Sequence, residues 1–393
     1  MRRDRRNGAM NSVRDAVLGA LLALAAAGEA VAEEPFWFGA DLSYVNEMED
    51  CGAVYRENGQ AVDPFELFAR RGANLVRVRL WNDAAWTDYS DLPDVKKTIA
   101  RARGQGMRVL LDFHYSDDWA DGEKQIIPQA WADIATTDGL ARALYDFTLE
   151  TLLDLDREGL LPEMVQVGNE TNPEILRGPD DGDAPIDWTR NAALFNAGIR
   201  AVRDAAAQTG KAIRVMLHIA QPENVMPWFE AAWAAGVRDF DQVGVSYYRR
   251  WSSEAFDGLA ATLRAVKARW PQREVILVET AYPWTLDYAD EAPNLLTENT
   301  LIEGYPATVD GQTRYLVDLA QLVADAGGSG IVYWEPAWVS TTCSTRWGRG
   351  SHWENATFFD FHNGNEVLPS IDFMRRDDRR GAPNAERKGL NDD

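Results

Sequence analysis

EMVQVGNE (163–170) is a short apolar run that ends abruptly on Gly-Asn-Glu. It is too short and too rich in valine to favour a helix. Apart from Gln166 it lacks the polar alternation of a strand with one wet face, so it reads as a strand buried on both sides of a parallel sheet. Seven other runs share its form: FWFGAD (36–41), NLVRVRLW (74–81), MRVLLDFH (107–114), AIRVMLHI (212–219), DQVGVSYY (241–248), EVILVETA (274–281) and SGIVYWEP (329–336). Helical spacing fills the intervals over 93–105, 138–158, 189–208, 225–235, 253–269 and 312–326. An earlier helix opens at Asp63-Pro64, with Asp as N-cap and Pro in the first turn, and Gly72 ends it. Eight strand–helix units at this period predict a single (β/α)₈ TIM barrel with long β→α loops after strands 3, 4, 7 and 8. The competing architecture is a doubly wound open sheet. It would carry a Gly-rich phosphate turn after its first strand, and GADLS (39–43) supplies none.

If the runs close into a barrel, their C-terminal ends meet at one face, and residues there build the active site. Two of those ends are glutamates, Glu170 on the fourth run and Glu279 on the seventh. One glutamate at a strand end is ordinarily a surface charge. Two on one barrel face are the equipment of a glycosidase, in which one carboxyl donates a proton to the leaving oxygen and the other attacks the anomeric carbon. Around them, Asn169 can hydrogen-bond a sugar hydroxyl. Arg79, ending the second run, can hold a neighbouring carboxylate ionised through a forked contact. Tyr247, ending the sixth run, can hydrogen-bond a nucleophile on the seventh, and Trp334 offers a flat face to a sugar ring.

Composition agrees with a saccharide cleft and disfavours other partners. With 62 acidic and 40 basic residues the chain carries a net charge of −22, which repels phosphate backbones and anionic membranes. Fifteen Trp, twelve Tyr and fourteen Phe are present. Most serve the core, but several stand in polar contexts such as SDDWAD (116–121) and STRWGRGSHW (344–353), where a stacking platform is the alternative. There is no HExxH, no Cys/His metal cluster and no Walker loop, and four His leave little room for a His-based triad.

The ends of the chain read differently. Arg14, the apolar run Ala16–Gly28 and the Ala30-Val31-Ala32 site form a secretory signal peptide over 1–32, too short to span a bilayer. A buried first helix is the other reading of that run. Residues 1–9 carry four Arg before a second Met, Met10, and are open to reading as a start-site artefact. The catalytic barrel is expected over 33–374, followed by a polar tail over 375–393 with too few apolar residues to order itself. Export leads to the expectation of a secreted or periplasmic protein.

Eight motifs in fixed order resemble glycoside hydrolase family 53. They are GADLSYVNEMEDCGAVY (39–55), ANLVRVRLWND (73–83), LDFHYSDDWAD (111–121), VQVGNETN (165–172), GVSYY (244–248), VILVETAYPW (275–284), YWEPAW (333–338) and RWGRGSHWENATFFDF (346–361). The resemblance covers residues 36–373. It implies endo-acting, retaining hydrolysis of β-1,4-galactan, the type I arabinogalactan side chains of pectin, by a monomer needing no cofactor. It also implies Glu170 as acid/base, Glu279 as nucleophile, and Arg79, Asn169, His114, Tyr247 and Trp334 at the cleavage subsite, with Asp41, Trp81, Asp118 and Trp119 lining the cleft. Another retaining barrel glycanase, mannanase-like or transglycosylating, would share the Asn-Glu and the seventh-strand Glu but not the third and last motifs. A non-catalytic glycan-binding barrel would ordinarily have lost one carboxylate. The chain departs from the family at Arg249-Arg250 and at Asp83-Ala84, near the expected cleft rim. Some members bind calcium after the seventh strand. The corresponding TLDYADEAPNLLTEN (285–299) offers Asp287, Asp290, Glu291 and Glu298 without the family's spacing, so a solvated loop is expected. Cys51 follows the first strand and Cys343 the eighth. These strands become neighbours on closure, so a disulfide between their loops is expected, with two free thiols as the alternative.

Overall fold

A computed structural model describes residues 36–178 and 184–375. The segment expected as a signal peptide, 1–32, and residues 376–393 of the expected polar tail lie outside the described residues. Eight parallel strands close into a barrel: β1 (Trp37–Asp41), β2 (Leu75–Leu80), β3 (Arg108–Phe113), β4 (Met164–Val167), β5 (Arg214–Ala220), β6 (Gln242–Ser246), β7 (Glu274–Glu279) and β8 (Gly330–Tyr333). Strand β1 pairs with β8 through Trp37–Gly330 and with β2 through Gly39–Leu75, which completes the ring.

Among the described residues, eight α-helices accompany the strands. They are α1 (Val45–Asp50), α2 (Pro64–Arg70), α3 (Leu92–Gly104), α4 (Thr137–Arg157), α5 (Trp188–Thr209), α6 (Pro222–Ala234), α7 (Phe256–Arg269) and α8 (Val309–Asp325). Their starts follow local capping chemistry. Asp63 accepts from the Phe65 and Glu66 amides at α2, Asp91 from Asp94 at α3, and Thr308 from Gly311 at α8. These caps set the boundaries that apolar spacing left loose, so α8 begins three residues before its apolar repeat. Gly72 ends α2 at φ +105°, and a Cβ there would stand 2.5 Å from the Met374 carbonyl oxygen. Only glycine satisfies both the backbone conformation and the close approach. Short helix α1, between β1 and α2, has no periodic signature in the sequence.

The barrel interior is layered. Trp37, Leu75, Leu110, Met164, Met216, Ile276, Val278 and Val332 form an apolar floor at its N-terminal side. Side chains alternate along a strand, so the next inward positions on β2–β5 are two residues on, at Arg77, Asp112, Gln166 and His218, and on β1 Asp41 follows four residues on, beyond Gly39; all five polar residues are buried. The floor therefore gives way to a polar layer as each strand approaches its C-terminal end. Four non-glycine residues with positive φ stand within three residues of strand ends on that face: Tyr115, Glu170, Gln221 and Glu335. Such conformations cost about 1–3 kcal/mol each and persist where the surroundings fix them. Cys51 and Cys343 are disulfide-bonded, joining the loop after α1 to the loop after β8.

Candidate active site

Glu279 comes inward because of a bulge. Strand β6 pairs Val245 with Leu277 and then Ser246 with Glu279, so Val278 is skipped. Strict alternation from Ile276 and Val278, which face the floor, would turn Glu279 outward. The extra residue reverses the parity and re-aims it into the barrel. Glu170 arrives by another route. Gly168 at φ +84° and Glu170 at φ +42° bend the chain beyond β4, and the carboxyl turns over the barrel mouth. One carboxylate oxygen of each glutamate and a ring nitrogen of His218 all lie within 4.8 Å of one another.

The two carboxyls have unlike partners. Glu279 Oε1 is 2.9 Å from Arg77 Nη2, and the Tyr248 hydroxyl donates to Oε2 at 3.0 Å. Arg77 is buried and also bridges Asp41 and Asp112, each at 2.8 Å, while it donates to Asn169 Oδ1 at 2.7 Å and Gln166 Oε1 at 3.2 Å. Glu170 Oε2 accepts from the Gly122 amide at 3.2 Å. Burial pushes Glu170 up to about 7, the charge of Asp121 adds to the rise, and the Gly122 amide opposes it. Burial pushes Glu279 upward as well. Arg77 opposes that shift and the neighbouring Glu170 charge reinforces it.

Above the carboxyls lies a cleft of about 1040 Å³, lined on one side by Trp119, Trp334, Trp338, Trp347 and Trp353. Trp334 packs against Trp353 at 4.7 Å and Trp119 at 5.8 Å between ring centroids. The cleft is also lined by Asn172, Gln221, Asn224 and the exposed Trp251. Flat apolar faces beside carboxyls and amides suit a saccharide, whose rings have apolar faces and polar edges.

Of the residues singled out from the sequence, Glu170, Glu279, Asn169, Trp119 and Trp334 line this cleft. Asn169 does so with both ends of its amide engaged, its Nδ2 donating to the Ala120 carbonyl at 2.8 Å. Four others lie beneath it. Arg79 does hold a carboxylate, but that carboxylate is Glu335 at 2.7 Å, not Glu279. Its guanidinium underlies the tryptophan wall, 4.4 Å from the Trp119 ring and 4.3 Å from Tyr44. Asp41 is an Arg77 partner, and Trp81 packs edge-on against Trp119 at 5.6 Å. His114 is satisfied on both nitrogens, by Asp112 at 3.0 Å and the Ala120 amide at 3.2 Å, so it braces the loop after β3. Asp118 sits at the rim between Lys124 and Arg346.

Tyr247 requires correction. Its hydroxyl donates to the Glu254 carbonyl at 3.1 Å, and Tyr248 is the residue on the seventh-strand carboxylate. A Cβ at Gly244 would meet Met216 and Val278, so Gly244 faces the floor. Counting by twos then carries Ser246 and Tyr248 inward and Tyr247 outward. Arg77, Tyr248 and His218 are site residues that the sequence reading did not name, because the facing and level that bring each to the carboxyls are set in the assembled barrel. In the loop after β7, Asp290 accepts from Ser340, the Ser351 amide and the Ala292 amide, and Asp287 lies 3.1 Å from His362. These bonds tie that loop to the one after β8.

Comparison with known proteins agrees with this geometry. Residues 37–374 match the family model described as glycosyl hydrolase family 53. An arabinogalactan endo-beta-1,4-galactanase of Cellvibrio japonicus is 55% identical over 360 residues, covering 91% of this chain and 96% of the relative. An endo-beta-1,4-galactanase of Bacillus subtilis is 37% identical, covering 77% of this chain and 70% of the relative. Among solved structures, the Ignisphaera aggregans GH53 catalytic domain superposes with a TM-score of 0.79 at 32% identity, covering 88% of this chain and 97% of its own. With a match that spans the whole barrel and a relative of this identity, the chain belongs to glycosyl hydrolase family 53.

Proposed function

We propose that this glycoside hydrolase is an endo-β-1,4-galactanase acting on type I (arabino)galactan by retaining double displacement, with Glu170 as acid/base and Glu279 as nucleophile. The observation that carries the mechanism is the spacing of the two carboxyls, with one oxygen of each within 4.8 Å. Retaining enzymes hold the pair about 5–5.5 Å apart, whereas inverting enzymes need about 6.5–9.5 Å to admit a water. Relatives named as an arabinogalactan endo-beta-1,4-galactanase and an endo-beta-1,4-galactanase support the substrate.

Roles follow from partners. Burial raises both groups and the Glu170 charge adds to the rise at Glu279, so the pair keeps one proton into the neutral range. Arg77 and Tyr248 favour charge on Glu279. The proton therefore resides on Glu170, which delivers it to the leaving oxygen while Glu279 bonds the anomeric carbon. Water then enters, Glu170 takes its proton, and the glycosyl ester on Glu279 is broken with net retention. Both chemical groups come from the chain, so the reaction needs no cofactor.

The disulfide supports an oxidising compartment, hence a periplasmic or secreted enzyme, and no helix among the described residues is long and apolar enough to cross a membrane. Galactan is the partner expected for a monomeric enzyme of this kind. Replacing Glu279 with Ala tests the reading. Hydrolysis of linear β-1,4-galactan should be abolished, and added azide should restore turnover of an activated galactoside as a glycosyl azide of inverted configuration. Undiminished hydrolysis, or an azide product of retained configuration, would refute it.

A further inference from the structure

We propose that Trp251 is a stacking platform for the galactosyl residue on the leaving-group side of the scissile bond, and that Arg250 is the positioning residue that holds it there. The inference rests on the reading of Glu170 as the acid/base of a galactanase.

Trp251 is the one exposed tryptophan among the described residues, at 44%. An indole left in water contributes little to folding, because its stabilisation comes from burial. The ring is nonetheless fixed in place. Its backbone N–H donates to the Tyr248 carbonyl at 3.0 Å, closing a turn after β6. Its ring meets the Tyr248 ring edge-on, with centroids 5.2 Å apart, and Tyr248 is itself anchored by its hydroxyl on Glu279. Arg250 ties this turn to the next loop. Its Nη1 donates to the Leu295 carbonyl at 2.6 Å, and its guanidinium carbon lies 5.4 Å from the Trp251 ring centroid. Leu295 also lines the cleft, and its backbone N–H donates to the His352 carbonyl at 2.9 Å. Arg250 therefore fastens the loop after β6 to the loops after β7 and β8. It belongs to the Arg249-Arg250 pair at which the sequence departs from the family.

The order of strands places the platform. In the closed ring β4, β5 and β6 are consecutive, and so are β8, β1, β2 and β3. The five tryptophans of the wall follow β3 and β8, whereas Asn172, Gln221, Asn224 and Trp251 follow β4, β5 and β6. The Trp334 backbone N–H donates to the Thr280 carbonyl at 3.0 Å, which seats that ring beside Glu279 and the sugar it attacks. The leaving oxygen must lie beside Glu170, after β4, so the sugar that carries it extends over the β4–β6 arc. The groups on that arc suit a galactosyl residue. Its C–H bonds at C3, C4 and C5 form an apolar face that matches an exposed indole, and its hydroxyls match side-chain amides. Asn224 Nδ2 donates to Gln221 Oε1 at 3.2 Å, and Gln221 takes φ +59° at the end of β5. That backbone conformation is uncommon outside glycine and persists where the surroundings fix it, which is frequent at ligand sites.

Two substrates separate this role from a structural one. Linear β-1,4-galactan places sugars on both sides of the scissile bond. β-Galactobiosyl fluoride ends at that bond, with fluoride as its leaving group. Trp251→Ala should lower kcat/KM on galactan by about tenfold and on the fluoride by less than about twofold. Trp251→Tyr, which keeps a flat ring, should recover most of the loss. Arg250→Ala should show the same split at about threefold, and Arg250→Lys, which keeps a cation and a donor, should reverse it. Equal losses on the two substrates would overturn the proposal, since a structural defect harms both alike. An undiminished rate on galactan in Trp251→Ala would overturn it as well. Fluoride departs without a proton from an acid, so the comparison of substrates does not depend on Glu170. Wild-type galactan hydrolysis by Glu170→Ala would instead remove the acid/base assignment, and the split between substrates would still decide which side of the bond Trp251 serves.

Discussion

The β4 and β7 sides of the barrel mouth present the same residue type within 4.8 Å, yet build its surroundings from different materials. On the β7 side, charge answers charge. Glu279 shares Arg77 with two other buried carboxylates and takes a hydroxyl from Tyr248. On the β4 side the donor to the Glu170 carboxyl is neutral, the Gly122 backbone amide. A cation favours the ionised form strongly. A neutral donor opposes the burial penalty only in part and leaves Glu170 at about 7. In the proposed mechanism that difference sorts two identical side chains in one cleft, Glu279 as the group that holds charge and Glu170 as the group that exchanges a proton.

The comparison breaks most severely at Arg77. Arg77→Met leaves Asp41, Asp112 and Glu279 buried without their common cation. Removing one partner of a buried ion pair costs about 3–5 kcal/mol. A large drop in melting temperature and loss of galactan hydrolysis are expected together, by thermal denaturation and by reducing-sugar assay. An unaltered melting temperature would show that the network contributes nothing to stability.

Glu170→Ala is the next largest. Loss of general acid catalysis should reduce kcat/KM on galactan by about 10²–10⁴-fold. An aryl galactoside with a good leaving group should still glycosylate the enzyme rapidly and accumulate a covalent intermediate visible by mass spectrometry. The wild-type pH profile carries the matching sign. Glu170 must be protonated for the first step, so kcat/KM on galactan should fall as pH rises through about 7. In Glu170→Ala, with the activated substrate, that limb should vanish.

The tyrosines give the smallest effects and the sharpest contrast. Tyr248→Phe removes one hydrogen bond to a charged group, about 1.5–3 kcal/mol, so kcat should fall by about ten- to a hundredfold. Tyr247→Phe removes a bond to the Glu254 carbonyl outside the barrel and should change kcat less than about twofold. Equal losses in the two variants would mean that the parity of β6 is wrong.

Much of this was legible in the sequence. Apolar runs of strand length, separated by capped helical repeats, determine a (β/α)₈ barrel, because that pattern buries both faces of a closed parallel sheet. The same runs placed Glu170 and Glu279 at the catalytic face, and the tryptophans of 116–121 and 344–353 beside a cleft. Which neighbour turns inward was decided only by tertiary structure. Arg77 and Arg79 both face inward on β2 two residues apart, and a strand reading cannot say which level meets Glu279 and which meets Glu335. Tyr247 and Tyr248 differ by one residue, and the parity that separates them is fixed by Gly244 packing on the floor. The bulge at Val278, which turns Glu279 into the barrel, appears only in the pairing of β6 with β7. Local propensity sets where a strand lies, but the facing of its last residues depends on register with its neighbours, and register is a property of the assembled sheet.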